Sequence, residues 1–286
     1  MHDTKMYCLS LYDNTLSTIK RMGYLPVGLG SNNFSKEWLR DNTLENISFK
    51  NRYYGEYTFH YWFWKNIFPK INDNQWIGFC AYREFWSNSQ SLIQNKNIKF
   101  TKENGAFFIE SQNVKIEDMV LKKIPSEWNN FDSVIGEHLY MNNLKFSKLI
   151  KHGIVSLARN PQAIIKSKRN LRFHFDMWHG NGNLDKAIDL LSNEDKINFN
   201  DFVNNNISFN PHNMFVCKSK KILKNYYNTI FPWLKKCEDL FGFNKNADYG
   251  GKRMYGFLAE RFLSYWFQKN AKCKTVPILG LDINNL

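Results

Sequence analysis

Long apolar runs are missing from this 286-residue chain. No stretch of about 18 apolar residues occurs, so no membrane-crossing helix is expected. The opening segment, MHDTKMYCLSLYD, has neither the basic start nor the apolar core of a secretory signal, and a cytoplasmic chain is expected. Cysteine is scarce. The 5 residues Cys8, Cys80, Cys217, Cys237 and Cys273 form no CxxC pair, which argues against a disulfide framework or a zinc site. Cys8 and Cys80 sit in apparent strands, where a free thiol behaves as a small buried apolar group. The sequence holds no GxGxxG, no GxxxxGK[ST] and no GxSxG, so those three phosphate-cradle and nucleophile-elbow readings find no support. Acidic residues are in deficit, 26 against 39 Lys and Arg, leaving a net charge of +13.

A basic balance points to an anionic partner: nucleic acid, an anionic membrane or a phosphorylated substrate. The lysines are scattered, and no RRM, helix-turn-helix or KH signature appears, so nucleic acid is not the expected partner. One denser segment, Lys148 to Arg172, mixes basic and apolar residues. It is either a solvated helix or a peripheral contact with a membrane surface. The 43% hydrophobic content suffices for one large domain or two small ones.

Strand-like and helical segments alternate along the chain. Lys5–Tyr12 and Trp76–Ala81 read as strands, as do Gly105–Glu110, Phe131–Ile135, Asn213–Cys217 and the late KTVPIL. Asn51–Phe68 is an aromatic helix too apolar for a surface, ended by Pro69. Residues 31–46 read as loop with one short helix. Ser219–Leu240 is a long amphipathic helix that Pro232 breaks or kinks, and Phe257–Gln268 is a last apolar helix. The alternation favours an α/β fold. The expectation is a single domain over residues 1–286 with a helical insertion at about 140–205.

Four groups of residues could carry chemistry, and each has a plain structural alternative. Tyr82-Arg83-Glu84 ends a buried strand; Arg83 either meets an anion such as a diphosphate or pairs with a carboxylate such as Glu56 or Glu84. Glu56, His60 and Trp64 share one helix face; without a third ligand, a buried Glu56–His60 hydrogen bond is preferred to a metal pair. His174, Asp176 and His179 precede glycines, which suits either a substrate role or a helix end. Glu260 lies on an apolar helix beside Arg261, either as a general base raised by burial or as half of a structural ion pair. Aromatic residues make up 16% of the chain, which is first of all material for a core.

Taken together, these stretches resemble the bacterial glycosyltransferases grouped under DUF4422. Asp41-Asn42-Thr43 followed by Asn46-Ile47-Ser48-Phe49-Lys50-Asn51 is similar to the family's first motif. Tyr54-Gly55-Glu56-Tyr57-Thr58 and Tyr61-Trp62-Phe63-Trp64-Lys65-Asn66 follow its aromatic helix. Gly78-Phe79-Cys80-Ala81-Tyr82-Arg83-Glu84-Phe85-Trp86, Asn213-Met214-Phe215 and Gly256-Phe257-Leu258-Ala259-Glu260-Arg261 complete the series in order. The chain departs from the pattern at Gly55, Ala81 and Glu84, where the family has Cys, His and Arg.

The resemblance implies a GT-A-like α/β fold, a Rossmann-like mixed sheet flanked by helices. It implies a hexosyltransferase-type enzyme that takes a nucleotide-sugar donor, UDP-linked by preference and galactofuranose among the options. The acceptor would be a saccharide or lipid-linked saccharide in capsule or lipopolysaccharide synthesis. Glu260 and Asp176 are the expected catalytic carboxylates. The expected substrate-binding residues are Ser10, Tyr12, Asn51, Tyr54, Glu56, Lys65, Tyr82, Arg83, His179, Asn213 and Arg253. No DxD pair is present to bridge a metal to a diphosphate. Glu84 either replaces part of it as a ligand for Mn or Mg, or pairs with Arg83 and leaves the site metal-independent. Two other readings stay open: a non-catalytic glycan- or partner-binding relative, and a basic nucleic-acid-binding protein.

Overall fold

The computed structural model describes residues 4–73, 75–88, 98–110, 115–143 and 146–285. Among these residues the strands are β1 (Thr4–Ser10), β2 (Leu25–Gly28), β3 (Leu39–Arg40), β4 (Trp76–Ala81), β5 (Glu84–Trp86), β6 (Phe100–Glu103) and β7 (Ala106–Ile109). They continue with β8 (Ser133–Gly136), β9 (Leu139–Tyr140), β10 (Ser208–Phe209), β11 (Phe215–Cys217), β12 (Cys273–Val276) and β13 (Ile278–Gly280). Eleven of them form one mixed sheet; β9 and β10 pair separately. β3, β2, β1 and β4 run parallel in that spatial order. β11 is antiparallel to both β4 and β8, and β12 is parallel to β8. This is the expected α/β class.

β1 and β4 hold the centre because their side chains are apolar on both faces. Met6 to Leu9 and Trp76 to Cys80 are all buried, as strands covered by helices on both sides require. From β1 the chain passes to β2 on one side, while β4 pairs on the other. The carboxyl ends of β1 and β4 therefore flank a topological switch point, where open α/β sheets leave a crevice.

One face of the sheet is covered by aromatic side chains. Helix Tyr57–Asn66 sets Phe59, Trp62 and Phe63 against Tyr7 and Phe79, with ring centroids 5.4 Å apart for Tyr7–Phe63 and 5.1 Å for Phe63–Phe79. Helices Lys220–Phe241 and Met254–Asn270 complete that layer. The long helix runs unbroken through Pro232, because it is supported by packing along its length. The expected single aromatic helix is instead split into Asn51–Tyr54 and Tyr57–Asn66. The cause is Gly55, whose φ of +57° lies outside helical geometry. Residues 31–46 contain no short helix; the short strand β3 lies there and extends the sheet edge. KTVPIL divides at Pro277 into β12 and β13.

Between β9 and β10 the chain forms helices Phe146–Arg159, Leu171–His179, Asn183–Asp189 and Asn193–Asn205. No described helix is long and apolar enough to cross a membrane.

Asp41, fully buried, ties the sheet edge to the aromatic layer. Its carboxylate accepts the Gly30 N–H at 2.8 Å and the Thr58 hydroxyl at 2.6 Å. Burial raises its pKa, against the lowering effect of those bonds and of Arg40. Asn51 joins the same network, donating to the Gly55 carbonyl at 3.0 Å and to Thr58 at 3.1 Å. Asp41→Ala leaves the Gly30 N–H and the Thr58 hydroxyl without their acceptor. It should cost about 2–3 kcal/mol in urea unfolding, the range for hydrogen bonds to a charged group. A loss below about 0.5 kcal/mol would show that this network does not hold the edge.

Candidate active site

Tyr82 and Arg83 form a two-residue turn, because Ala81 on β4 pairs directly with Glu84 on β5. The turn backbone is held from both sides. Tyr82 N–H donates to the Leu9 carbonyl at 2.9 Å; the Arg83 and Tyr82 carbonyls accept from Leu281 and Ile283 at 3.0 and 3.2 Å. With the backbone fixed, the Arg83 side chain projects into solvent at the carboxyl ends of β1 and β4. Neither suggested ion pair forms: no ion pair to Arg83 occurs among the described residues, and Glu56 is bound elsewhere. Arg83 is exposed because the turn carries it past the sheet edge; what burial remains opposes its charge, but Glu84 and other nearby groups outweigh that and raise its pKa. Tyr82 meets Tyr12 edge to face, centroids 5.2 Å apart, and Tyr12 is 42% exposed. Below them Ser10, fully buried, bonds Thr15 at 2.9 Å and the Tyr12 carbonyl at 3.1 Å, so it shapes the loop rather than facing a ligand.

Glu84, next in sequence, turns inward to a cavity of ≈ 930 Å³. The walls include Trp178, His179, Tyr249, Phe257, Glu260 and Arg261, with His174, Phe209 and His212 deeper in. Helix Leu171–His179 supplies one wall, helix Met254–Asn270 the floor, and the 248–250 segment the rim. The rim sits close because residue 250 is glycine: a Cβ there would lie 2.3 Å from the Trp178 carbonyl.

The charges in and beside this cavity are unequally committed. Glu260 accepts the His212 N–H at 2.7 Å with one oxygen and the Arg261 guanidinium with the other. Arg261 also lies 3.1 Å from His174 Nδ1 and 4.0 Å over the Phe209 ring. Glu56 and Arg253 pair at 3.1 Å. Burial opposes the Glu56 charge, but Arg253 outweighs it and the pKa is lowered. Arg253 occupies the space a side chain at Gly55 would need, since a Cβ there would lie 2.1 Å from its guanidinium. That is why a glycine stands where the family pattern has cysteine.

Glu84 differs from these carboxylates. Its carboxylate makes no hydrogen bond among the described residues; it lies 3.9 Å from His212 Nδ1, an imidazole whose positive charge burial opposes. Burial raises its pKa to about 7, Arg83 only partly opposing. Burial also holds His212 below its ordinary value, and drives His174 and His179 well below theirs with Arg261 adding to it. His212 and Asn213 adopt φ of +76° and +52°, and this turn is what aims the His212 N–H at Glu260.

Several expected residues lie elsewhere. Lys65 is nine residues beyond Glu56, about 13 Å along the helix, paired with Glu45 at 3.2 Å. Tyr54 is buried, donating to Glu238 at 2.8 Å and stacking on Tyr255. Asp176 does not line the cavity; it accepts the Gly182 N–H at 3.0 Å and closes the loop after its own helix. The suggested Glu56–His60 bond is not made; His60 lies 3.2 Å from Tyr227 OH, and burial lowers its pKa to about 3. Asn213 is buried, donating to the Gly256 carbonyl at 3.3 Å; His179, by contrast, does line the cavity, packed flat on Phe257 at 4.1 Å. Sequence reasoning missed His212, Trp178 and Tyr249. Only Tyr249 carried a local signal, an aromatic before two glycines.

A cation at Glu84 would need further ligands. No group of three or more His, Cys, Asp or Glu able to hold a metal occurs among the described residues. The residues present therefore do not form a cation site of their own.

The sequence matches the family described as "Domain of unknown function (DUF4422)" over residues 9–271, and the chain belongs to that family. No curated protein matches it. A solved structure described as "WbbM bifunctional glycosytransferase apo structure" aligns with a TM-score of 0.64 at 20% identity. The alignment covers 98% of this chain and 45% of that one, so this chain spans less than half of its neighbour. At that identity the likeness shows a shared fold.

Glu84 gives a stability test. Its native pKa, about 7, lies above the ordinary glutamate value of 4.5, so its contribution to stability is full below that unfolded value and lost as pH rises through 7. The loss amounts to roughly 3 kcal/mol at 1.36 kcal/mol per pKa unit. In urea titrations from pH 4 to 8, Glu84→Gln should flatten the decline. An unchanged pH slope would mean that Glu84 is not buried as a shared proton site.

Proposed function

We propose that this protein is a glycosyltransferase that moves a sugar from a nucleotide-sugar donor to a saccharide acceptor. The observation that carries the reading is Arg83: a guanidinium held out at the switch point on a doubly tethered turn, unpaired among the described residues, beside a cavity with an uncommitted carboxylate. A planar, always-charged fork in that position suits a diphosphate, which it would bind in two-point fashion. The nucleotide would lie over the ends of β1 and β4, with the exposed Tyr12 ring as a stacking face. The family membership and the fold shared with a glycosyltransferase support this reading.

The acceptor sugar would enter the cavity between Trp178, Tyr249 and Phe257, flat apolar surfaces suited to pyranose or furanose faces. Glu84 is the group best suited to take the proton from the acceptor hydroxyl. A base works best when its pKa is near the working pH and it has room to accept a proton. Glu260 is held on both oxygens and Asp176 faces its own loop, so we assign these two positioning roles. Arg83 would offset the charge that develops on the departing nucleoside diphosphate. The donor we favour is a UDP-sugar, galactofuranose included, and the setting is surface polysaccharide synthesis at the cytoplasmic side.

Thermal shift with UDP, GDP, CMP and dTDP, each with and without Mn²⁺ or Mg²⁺, tests the donor site. A ligand at about 100 times its Kd should add roughly 2.7 kcal/mol to stability. Arg83→Ala should abolish the shift. Glu84→Gln should keep the shift and lower kcat by roughly 10²–10⁴-fold, the usual worth of general-base help. A shift with no nucleotide would favour the non-catalytic glycan binder. Full turnover in Glu84→Gln with loss in Glu260→Gln would return the base role to Glu260.

A further inference from the structure

The segment from Phe146 to Arg172 contains no Asp or Glu. Its helix, Phe146–Arg159, buries Leu149, Gly153 and Ser156. At 100° per residue these form one stripe, and the opposite arc carries Ile150, Lys151, Ile154, Val155 and Ala158. The exposures are 47% for Ile150, 61% for Ile154 and 59% for Val155. The turn after the helix adds Ile164 at 60% and Ile165 at 57%. A solvated helix would carry polar residues on this arc.

The turn is not loosely displayed. Arg169 is buried and directs its guanidinium back to the carbonyls of Ala163 at 3.0 Å and Ile164 at 3.2 Å. Ala163 points inward, and the two isoleucines after it are held outward. Exposed Lys151, Lys166 and Lys168 stand around the aliphatic side chains and enter no ion pair among the described residues. The side chain of Lys148 lies outside the described set.

We infer that this face is a docking surface for an anionic lipid bilayer. Branched aliphatic side chains exposed beside lysines, in a segment with no carboxylate of its own, match the boundary between anionic headgroups and acyl chains.

The position adds a consequence. Helix Leu171–His179 packs Phe173 and Met177 against Leu149 and Ala163, while His174, Trp178 and His179 face the cavity. A single helix layer thus separates the bilayer face from the cavity wall. Docking through this face would hold the cavity near the bilayer in which a lipid-linked acceptor is anchored. That choice of acceptor rests on the transferase reading; the docking surface does not.

Co-sedimentation of the full chain with phosphatidylcholine vesicles and with 7:3 phosphatidylcholine:phosphatidylglycerol vesicles, at low and high salt, tests the surface. Binding is expected to the anionic vesicles and to weaken in high salt. The bound fraction should fall at least fivefold in Ile150→Asp/Ile154→Asp and, independently, in Ile164→Asp/Ile165→Asp. Both variants should keep the wild-type melting temperature, since all four side chains are exposed. No binding at low salt, or equal binding by both variants, would overturn the inference. So would sedimentation velocity showing a wild-type dimer that the same substitutions disperse, because the face would then be covered by a second copy. Vesicle binding with no donor turnover would leave the surface standing and remove only the lipid-linked acceptor.

Discussion

The parallel pairing of Thr4–Ser10 with Trp76–Ala81 sets the position of nearly everything at the mouth of the cleft. Six residue pairs fix the register, from Thr4 opposite Trp76 to Leu9 opposite Ala81. A slip of one residue would exchange the faces of every side chain on the strand, and both faces here are buried, so slippage is strongly resisted. The register ends where the apolar sequence ends. Beyond it the backbone must turn within two residues to enter Glu84–Trp86, and those two residues are Tyr82 and Arg83. The exposed guanidinium is therefore a result of strand register, reinforced by the Leu281 and Ile283 amides.

Around that turn the protein places its carboxylates differently. Glu56, Glu260 and Asp41 are each fixed by a cation, a backbone amide or a hydroxyl. Such partners occupy the carboxylate oxygens and fix their orientation. Glu84 is enclosed like the others but lacks those partners, and burial is the largest influence on it, with Arg83 partly opposing. Two carboxylates on one cavity, one held on both oxygens and one without a side-chain hydrogen bond among the described residues, can thus perform different tasks. Aromatic walls keep the dielectric low, which sharpens the contrast.

Much of this was legible in the sequence. The central strand, the aromatic helix and the abrupt Tyr82-Arg83-Glu84 ending are local patterns, readable from apolar runs and their limits. The break at Gly55 was not, because a lone glycine in a helical pattern does not by itself signal a positive φ. Lys65 and Tyr54 were expected in the site from the family resemblance of the aromatic helix. Helix geometry carries one away from the site and turns the other into the layer against Glu238. Asp176 shared a short stretch with two cavity histidines, yet alternate positions on a helix face different neighbours. The walls from 174–179 and 249–261 meet only through tertiary packing, so no window of sequence could join them.

The turn at His212 and Asn213 has a consequence for how this fold can change. Two consecutive residues with side chains in the left-handed region cost about 1–2 kcal/mol each relative to ordinary backbone. Glycine would relieve that strain, so selection for stability alone would favour glycine here. It would also remove the imidazole facing Glu84 and the Asn213 amide that grips the last helix. Robustness and the chemistry of the cavity are therefore opposed at this corner, and a lineage that keeps His212 and Asn213 accepts a less stable backbone to retain the site.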